Sequence, residues 1–168
     1  MSITSFGGVD SGDSSMVLGG IRLNAGFDGV IKSVKLGSEV EQLVLFSHNV
    51  WRGSEWTVGA DTAHLELGGL HSIGSFEMIP RVPRGCVKLF FDSHYRGRGR
   101  TVCHHEVFVG WIWNDEVTSM VVAPAVTVRV FKYYAYSGES VLIDTNTPNL
   151  GVYGMNDEIS SICILTRS

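Results

Sequence analysis

Short runs rich in apolar, β-branched and aromatic residues recur along the chain, among them 40–46 (VEQLVLF), 86–91 (CVKLFF), 118–123 (TSMVVA), 126–131 (VTVRVF) and 160–165 (SSICIL). Clusters of Gly, Ser, Asn and Asp bound them. Helical periodicity is almost absent, whereas runs of this length and composition suit the pleated, half-buried surface of a strand. The pattern predicts an all-β chain of many short strands. The segment from Ile79 to Gly85 holds Pro80 and Pro83, which cannot donate to a sheet ladder, and it reads as a linker. The expected organisation is a domain at 1–80, a linker at 81–85 and a second domain at 86–168.

The second domain is a tandem repeat. Phe131 to Gly138 repeats the shape of Phe90 to Gly97: an aromatic, four residues, a second aromatic (Tyr95, Tyr136), one residue and a glycine. About two dozen residues after each first aromatic, Asn114-Asp115-Glu116-Val117-Thr118-Ser119 is matched by Asn156-Asp157-Glu158-Ile159-Ser160-Ser161. The first domain carries weaker copies. Phe46, Trp51 and Gly53 keep the aromatic and glycine spacing, Leu70 to Ser75 stands where the second element belongs, and the first unit retains only Asp28 to Ser33. Ser33, Ser75, Ser119 and Ser161 close the four units at intervals of 42, 44 and 42 residues. The aromatic and glycine spacing predicts a folded hairpin, rings over the turn and glycine at a backbone angle other residues resist. Such a unit cannot bury its own apolar face, so two units pair as Greek keys into one β-sandwich of about 80 residues.

Composition narrows the functional classes. Apolar residues at 44% exclude disorder and a low-complexity filament. Residues 1–80 carry 4 basic and 9 acidic side chains and residues 81–168 carry 9 and 8, so neither half has the positive excess of a nucleic-acid binder. No stretch has the apolar length of a transmembrane helix, and the N-terminus lacks a basic region followed by an apolar one. Cys86, Cys103 and Cys163 are an odd set without metal-ligand spacing and too few for a disulfide scaffold. They are expected to be reduced, small buried residues of a cytoplasmic protein.

The acidic elements supply chemistry. Asn-Asp-Glu at the start of a turn offers hard oxygen donors, Thr118 and Ser160 add a hydroxyl three residues after each Asp, and neither nitrogen nor sulfur donors lie within the motif. Oxygen-only donors of flexible geometry favour calcium over zinc or copper. With these motifs repeated in register with two aromatic-glycine hairpins, residues 86–168 resemble the microbial calcium-binding type of the βγ-crystallin superfamily. Its motif is two Asn/Asp residues, two variable ones, then Ser/Thr and Ser. The resemblance implies two βγ-crystallin-like Greek-key β-sandwich domains, four motifs in all with the N-terminal pair degenerate. It also implies two Ca2+ ions in the second domain, each shared between motifs. One site would use Asn114, Asp115 and Glu116 with the carbonyl of Ser93 and the hydroxyl of Ser160. The other would use Asn156, Asp157 and Glu158 with the carbonyl of Tyr134 and the hydroxyl of Thr118. In 1–80, Leu70 and His71 replace the acidic pair, Gly74 removes the hydroxyl and Lys32 brings a cation, so no calcium is expected there.

Other signals are weaker. Cys103-His104-His105-Glu106 suggests zinc or a thiol nucleophile, but strand neighbours point to opposite faces and the run cannot chelate alone. Arg96, Arg98 and Arg100 fit a solvated strand edge better than a phosphate or anionic-sugar contact. Trp51, Trp56, Trp111 and Trp113 fit core and hairpin positions better than a sugar platform. No serine-histidine-aspartate arrangement or phosphate-cradling loop occurs. The expected protein is therefore not an enzyme, has no catalytic residue, and is a structural or stress-related calcium binder whose further partners are self-association or interdomain pairing. The alternatives are a carbohydrate- or membrane-binding module and, last, a zinc hydrolase using His104 or His105.

Overall fold

The computed structural model describes residues 3–7, 15–16, 31–62 and 73–166, with side chains over 34–62 and 73–165. The chain divides into two compact units, Met1–Arg81 and Val82–Ser168. Apart from a 3-10 turn at Leu150–Tyr153, the described elements are all strands.

The first unit holds β1 (Ile3–Gly7), β2 (Ser15–Met16), β3 (Ile31–Leu36), β4 (Val40–His48), β5 (Arg52–Val58) and β6 (Ser75–Pro80). They form antiparallel sheets of order β2-β1-β3 and β5-β4-β6. Leu43, Leu45, Ile73 and Phe76 are buried in it. The element expected at Asp28 to Ser33 and the residues Leu70 and His71 lie outside the described residues, except that β3 includes the backbone of Ile31, Lys32 and Ser33.

The second unit holds β7 (Val87–Asp92), β8 (Arg96–Val102), β9 (Ser119–Val122), β10 (Val126–Tyr133), β11 (Ser137–Ile143) and β12 (Ser161–Thr166), in sheets of order β8-β7-β9 and β11-β10-β12. Alternation explains the burial. Val87 and Leu89 are fully buried with Lys88 between them part-exposed, and Val128 and Val130 are fully buried with Arg129 between them exposed. Both pairs meet Met120, Ile159 and Ile162 in one core. Each such aliphatic contributes roughly 1.5–3 kcal/mol by leaving water.

The motifs interlock. After β8, Glu106 forms an antiparallel bridge with Ile162 of β12; after β11, Thr147 forms the matching bridge with Met120 of β9. Each motif therefore lends its third segment to the other motif's sheet, which is a Greek-key exchange. Val109 N–H to the Ser160 carbonyl (2.9 Å) and Leu150 N–H to the Thr118 carbonyl (2.8 Å) extend the two crossings.

One expectation fails here. Cys86 and Cys103 form a disulfide, with Cα atoms 4.2 Å apart. Val87 pairs with Val102 across the β7–β8 ladder, so the next residues outward, Cys86 and Cys103, stand face to face. A disulfide belongs to oxidising surroundings, which removes the cysteine argument for a cytoplasmic setting. Cys163 is a free, half-buried thiol. Among the described residues no helix is long and apolar enough to cross a membrane.

Candidate functional site

The site begins with three hairpins of one design. In β4–β5, β7–β8 and β10–β11 the register slips at the same place, between Phe46 and His48, Phe90 and Asp92, and Phe131 and Tyr133. An extra residue there bends the strand over. Left-handed backbone follows in the same order each time: Val50, Trp51 and Gly53; His94, Tyr95 and Gly97; Ala135, Tyr136 and Gly138. At Gly138 (φ 80°) a Cβ would lie 2.6 Å from the Tyr133 ring, so a side chain there would be strained and would displace the ring.

A buried serine fastens each fold. Ser119 Oγ donates to the Asp92 carbonyl (2.6 Å) and accepts from Tyr95 N–H (3.1 Å). Ser161 does the same with Tyr133 and Tyr136, at 2.7 and 3.0 Å, and Ser75 with His48 and Trp51, at 2.6 and 3.0 Å. All three are fully buried. Sequence reading found their recurrence but not this role. The interval itself is the signal: a hydroxyl kept at a fixed distance from an aromatic hairpin is positioned to satisfy the turn's backbone.

The residue before each serine reaches the same strand. Thr118, Ser160 and Gly74 donate their N–H groups to the carbonyls of Phe90, Phe131 and Phe46, each at 2.9 Å. Gly74 thus occupies the hydroxyl position in the first unit, where a Cβ would lie 2.5 Å from the His48 carbonyl carbon.

The acidic turns of the second unit face each other through a reciprocal backbone pair. Asp115 N–H donates to the Ile159 carbonyl (3.3 Å) and Asp157 N–H to the Val117 carbonyl (3.2 Å). Both aspartates are left-handed, at φ 57° and 53°, and both are exposed. Asn114 Nδ2 donates to Asp115 Oδ2 (2.6 Å) and Asn156 Nδ2 to Asp157 Oδ2 (2.7 Å).

The two predicted ligand sets differ in what is brought together. Thr118 Oγ1 donates to Asp157 Oδ1 across the motifs at 3.1 Å. Ser160 Oγ donates instead to the Lys132 carbonyl of its own motif, at 2.7 Å. Glu116 and Glu158 are exposed, and Glu158 lies 3.8 Å from Lys132 Nζ. Lys132 also binds Glu139 at 3.1 Å; that hydrogen bond is the main cause raising its pKa above the ordinary lysine value. The Ser93 carbonyl accepts from Arg96 Nε at 3.2 Å, and the Tyr134 carbonyl accepts from Ser137 Oγ at 2.7 Å.

The donor set fits a hard divalent cation better at the second turn. There Asp157, Glu158, Asn156, Thr118 and the Tyr134 carbonyl are all oxygen donors. At the first turn Asn114, Asp115 and Glu116 are as suitable, and the loop carbonyl is taken at both turns, by Arg96 Nε at Ser93 and by Ser137 Oγ at Tyr134; the difference is that Thr118 reaches Asp157 across the motifs whereas Ser160 is turned to the Lys132 carbonyl. Among the described residues no three His, Cys, Asp or Glu side chains converge, so the carboxylates of the two turns, like the histidines and cysteines, do not form a cluster.

The arginines, histidines and tryptophans of this unit are placed differently from one another. Arg100 does not share a solvated edge with Arg96 and Arg98: its guanidinium donates to the Val109 carbonyl (2.6 Å) and pairs with the buried Glu106 carboxylate. His104 Nε2 lies 3.6 Å from the same carboxylate, and His105 Nδ1 accepts from Ile164 N–H at 3.1 Å. Trp113 is buried in the core, whereas Trp111 is 89% exposed, its ring 5.1 Å from that of Phe108, which also meets Tyr134 at 6.3 Å.

No protein family's sequence profile matches the chain, and no curated protein matches it. Among solved structures it is similar to a βγ-crystallin from Ciona intestinalis, at 28% identity over 48% of this chain and 100% of that one, with a TM-score of 0.45. It is also similar to a βγ-crystallin domain from Clostridium beijerinckii, at 23% identity over 49% and 99%, with a TM-score of 0.45. The N-terminal domain of protein S matches at 17% identity over 48% and 96%, with a TM-score of 0.43.

Proposed function

We propose that Val82–Ser168 is a non-enzymatic, βγ-crystallin-type calcium-binding domain whose ions stabilise its fold, and that the chain has a structural or stress-related role. The observation that carries this reading is the approach of Thr118 Oγ1 to Asp157 Oδ1 at 3.1 Å, a hydroxyl of one motif delivered to the carboxylate of the other. Asn156, Asp157 and Glu158 with the Tyr134 carbonyl and Thr118 would hold one ion. Asn114, Asp115 and Glu116 with the Ser93 carbonyl and Ser160 would hold the other once Arg96 and Ser160 turn. A divalent cation would supply charge that offsets the repulsion of the carboxylates. Binding only to the folded state stabilises it by mass action, about 2.7 kcal/mol per site at a hundredfold excess over the dissociation constant. Met1–Arg81, with Gly74 at the hydroxyl position, would bind none.

Calorimetric titration of calcium into chelator-stripped full-length protein tests the reading, alongside thermal melts in calcium and in chelator. Two ions with unequal affinities and a raised melting temperature are expected. Absence of both binding heat and a melting shift would refute it.

The cluster of exposed Trp111 and Tyr134 about the half-buried Phe108 favours a second reading, a carbohydrate- or membrane-recognition module. Glycan and liposome pull-downs with and without calcium separate the two: capture that Trp111→Ala abolishes, in protein that takes up no calcium, would favour recognition.

A further inference from the structure

The two crossing segments of the second unit are not held alike. Residues 103–110 cross to β12 through the Glu106–Ile162 bridge, with N–H to carbonyl distances of 2.8 and 2.9 Å, and residues 144–150 cross to β9 through the Thr147–Met120 bridge, at 2.8 and 3.0 Å. The first segment is also tied back to its own hairpin. The Cys86–Cys103 disulfide closes its base. Arg100 reaches over it to the Val109 carbonyl and the Glu106 carboxylate. Glu106 is buried, and its Oε2 has no hydrogen-bond partner, so the segment holds a carboxyl group whose charged form depends on Arg100 and, at 3.6 Å, His104.

The second segment has neither a disulfide nor an arginine in the matching places. The Val87–Val102 pair corresponds in register to Val128–Ile143, which sets Thr127 and Asp144 in the places of the two cysteines, Val141 in that of Arg100 and Thr147 in that of Glu106. Half of a near-symmetric structure therefore carries a reducible bond, and the other half is an internal control.

We propose that the Cys86–Cys103 disulfide is a redox clasp on the crossing segment 103–110, closed under oxidising conditions and opened by a dithiol reductant. Two electrons and two protons pass from the dithiol to the cystine, leaving thiols at Cys86 and Cys103 and a disulfide in the reductant. Cys103 is exposed, which gives an attacking thiolate access from solvent. The opened segment leads directly into the turn through Trp113 and Asn114, whose N–H groups both donate to the Gly110 carbonyl at 2.9 Å. Reduction therefore loosens residues 103–116 and leaves 144–158 as they were. The effect on calcium at Asn114–Glu116 rests on the metal reading above; the clasp does not.

Hydrogen exchange of the full-length protein tests this, in chelator, with and without excess dithiothreitol, using Cys163→Ser to remove the third thiol. Reduction is expected to speed exchange over 103–113 by at least about tenfold while 144–155 changes little. Unchanged exchange at 103–113, or equal loosening of both segments, would overturn the proposal. The Cys86→Ala/Cys103→Ala pair should show the reduced pattern without reductant and no response to it; if it fails to fold, the dithiol comparison on the cystine protein still decides. A parallel calcium titration keeps the two ideas apart. Absence of calcium heat in both redox states would sink the metal reading, and the exchange result alone would still decide the clasp.

Discussion

Ser119→Ala removes one oxygen that satisfies two backbone groups. Ser119 is fully buried, donates to the Asp92 carbonyl at 2.6 Å and accepts from the N–H of Tyr95, itself 8% exposed. The methyl group that remains fits the space but leaves a buried donor without a partner, which costs about 1–3 kcal/mol, whereas the Asp92 carbonyl lies at an exposed residue where water can replace the hydroxyl. A net loss of about 2 kcal/mol corresponds to about 8–16 °C in a domain of this size. Scanning calorimetry of the full chain in chelator measures it, and Thr118→Ala is the contrast. Thr118 is one residue away, but its hydroxyl meets only an exposed carboxylate, so its removal should cost less than about 1 kcal/mol in chelator. A Ser119→Ala shift below about 2 °C, or equal shifts for the two variants, would refute the assignment of Ser119 as the fastener of the hairpin and Thr118 as a ligand group.

In calcium the order should reverse in kind: Thr118→Ala is expected to lose the stabilisation of one site, about 2.7 kcal/mol at a hundredfold excess, while Ser119→Ala retains the calcium-induced rise, as melts in both conditions would show. Gly138→Ala should cost at least about 1 kcal/mol by denaturant titration, since φ is 80° and the new methyl meets the Tyr133 ring at 2.6 Å; a neutral result would contradict the turn geometry. Burial raises the pKa of Glu106 above the ordinary carboxylate value, with Arg100 and His104 opposing it. The folded chain thus keeps this proton to a higher pH than the unfolded chain, so stability falls as pH rises between the two pKa values. Glu106→Gln is expected to remove a slope of up to about 1.4 kcal/mol per pH unit there, read from urea midpoints across pH; an unchanged slope would refute it.

The hairpins and the acidic turns are legible from residues 46–53, 90–97, 131–138, 114–119 and 156–161, because each is a local device. A ring, a left-handed turn and a glycine act within eight residues, and no distant partner alters the demand. What escapes is set by register and crossing. The Cys86–Cys103 bond follows from which residues lie beyond Val87 and Val102 on a ladder, information that a spacing of 17 does not carry. Arg100 alternates with Arg96 and Arg98, yet turns inward because Glu106 is brought over it by the crossing segment. Trp111 and Trp113 look equivalent by spacing, but they sit on a turn, where strand alternation has no force, and one is buried while the other projects into solvent. Ser160 matches its motif in type, but its rotamer answers to the Lys132 carbonyl beside it.

The exchange of third segments also governs how the second unit acquires its structure. The β7–β8 and β10–β11 hairpins close over loops of a few residues and form within microseconds. The bridges Glu106–Ile162 and Met120–Thr147 join residues far apart in sequence and give no return until most of the intervening chain is ordered. Neither motif completes its sheet before the other arrives, so the rate-limiting step is a joint docking on the millisecond-to-second scale typical of nonlocal β topologies. A truncated or newly synthesised first motif waits with the β9 edge of its sheet open until residue 147 has emerged, and that interval is when the chain is most exposed to pairing with a neighbour.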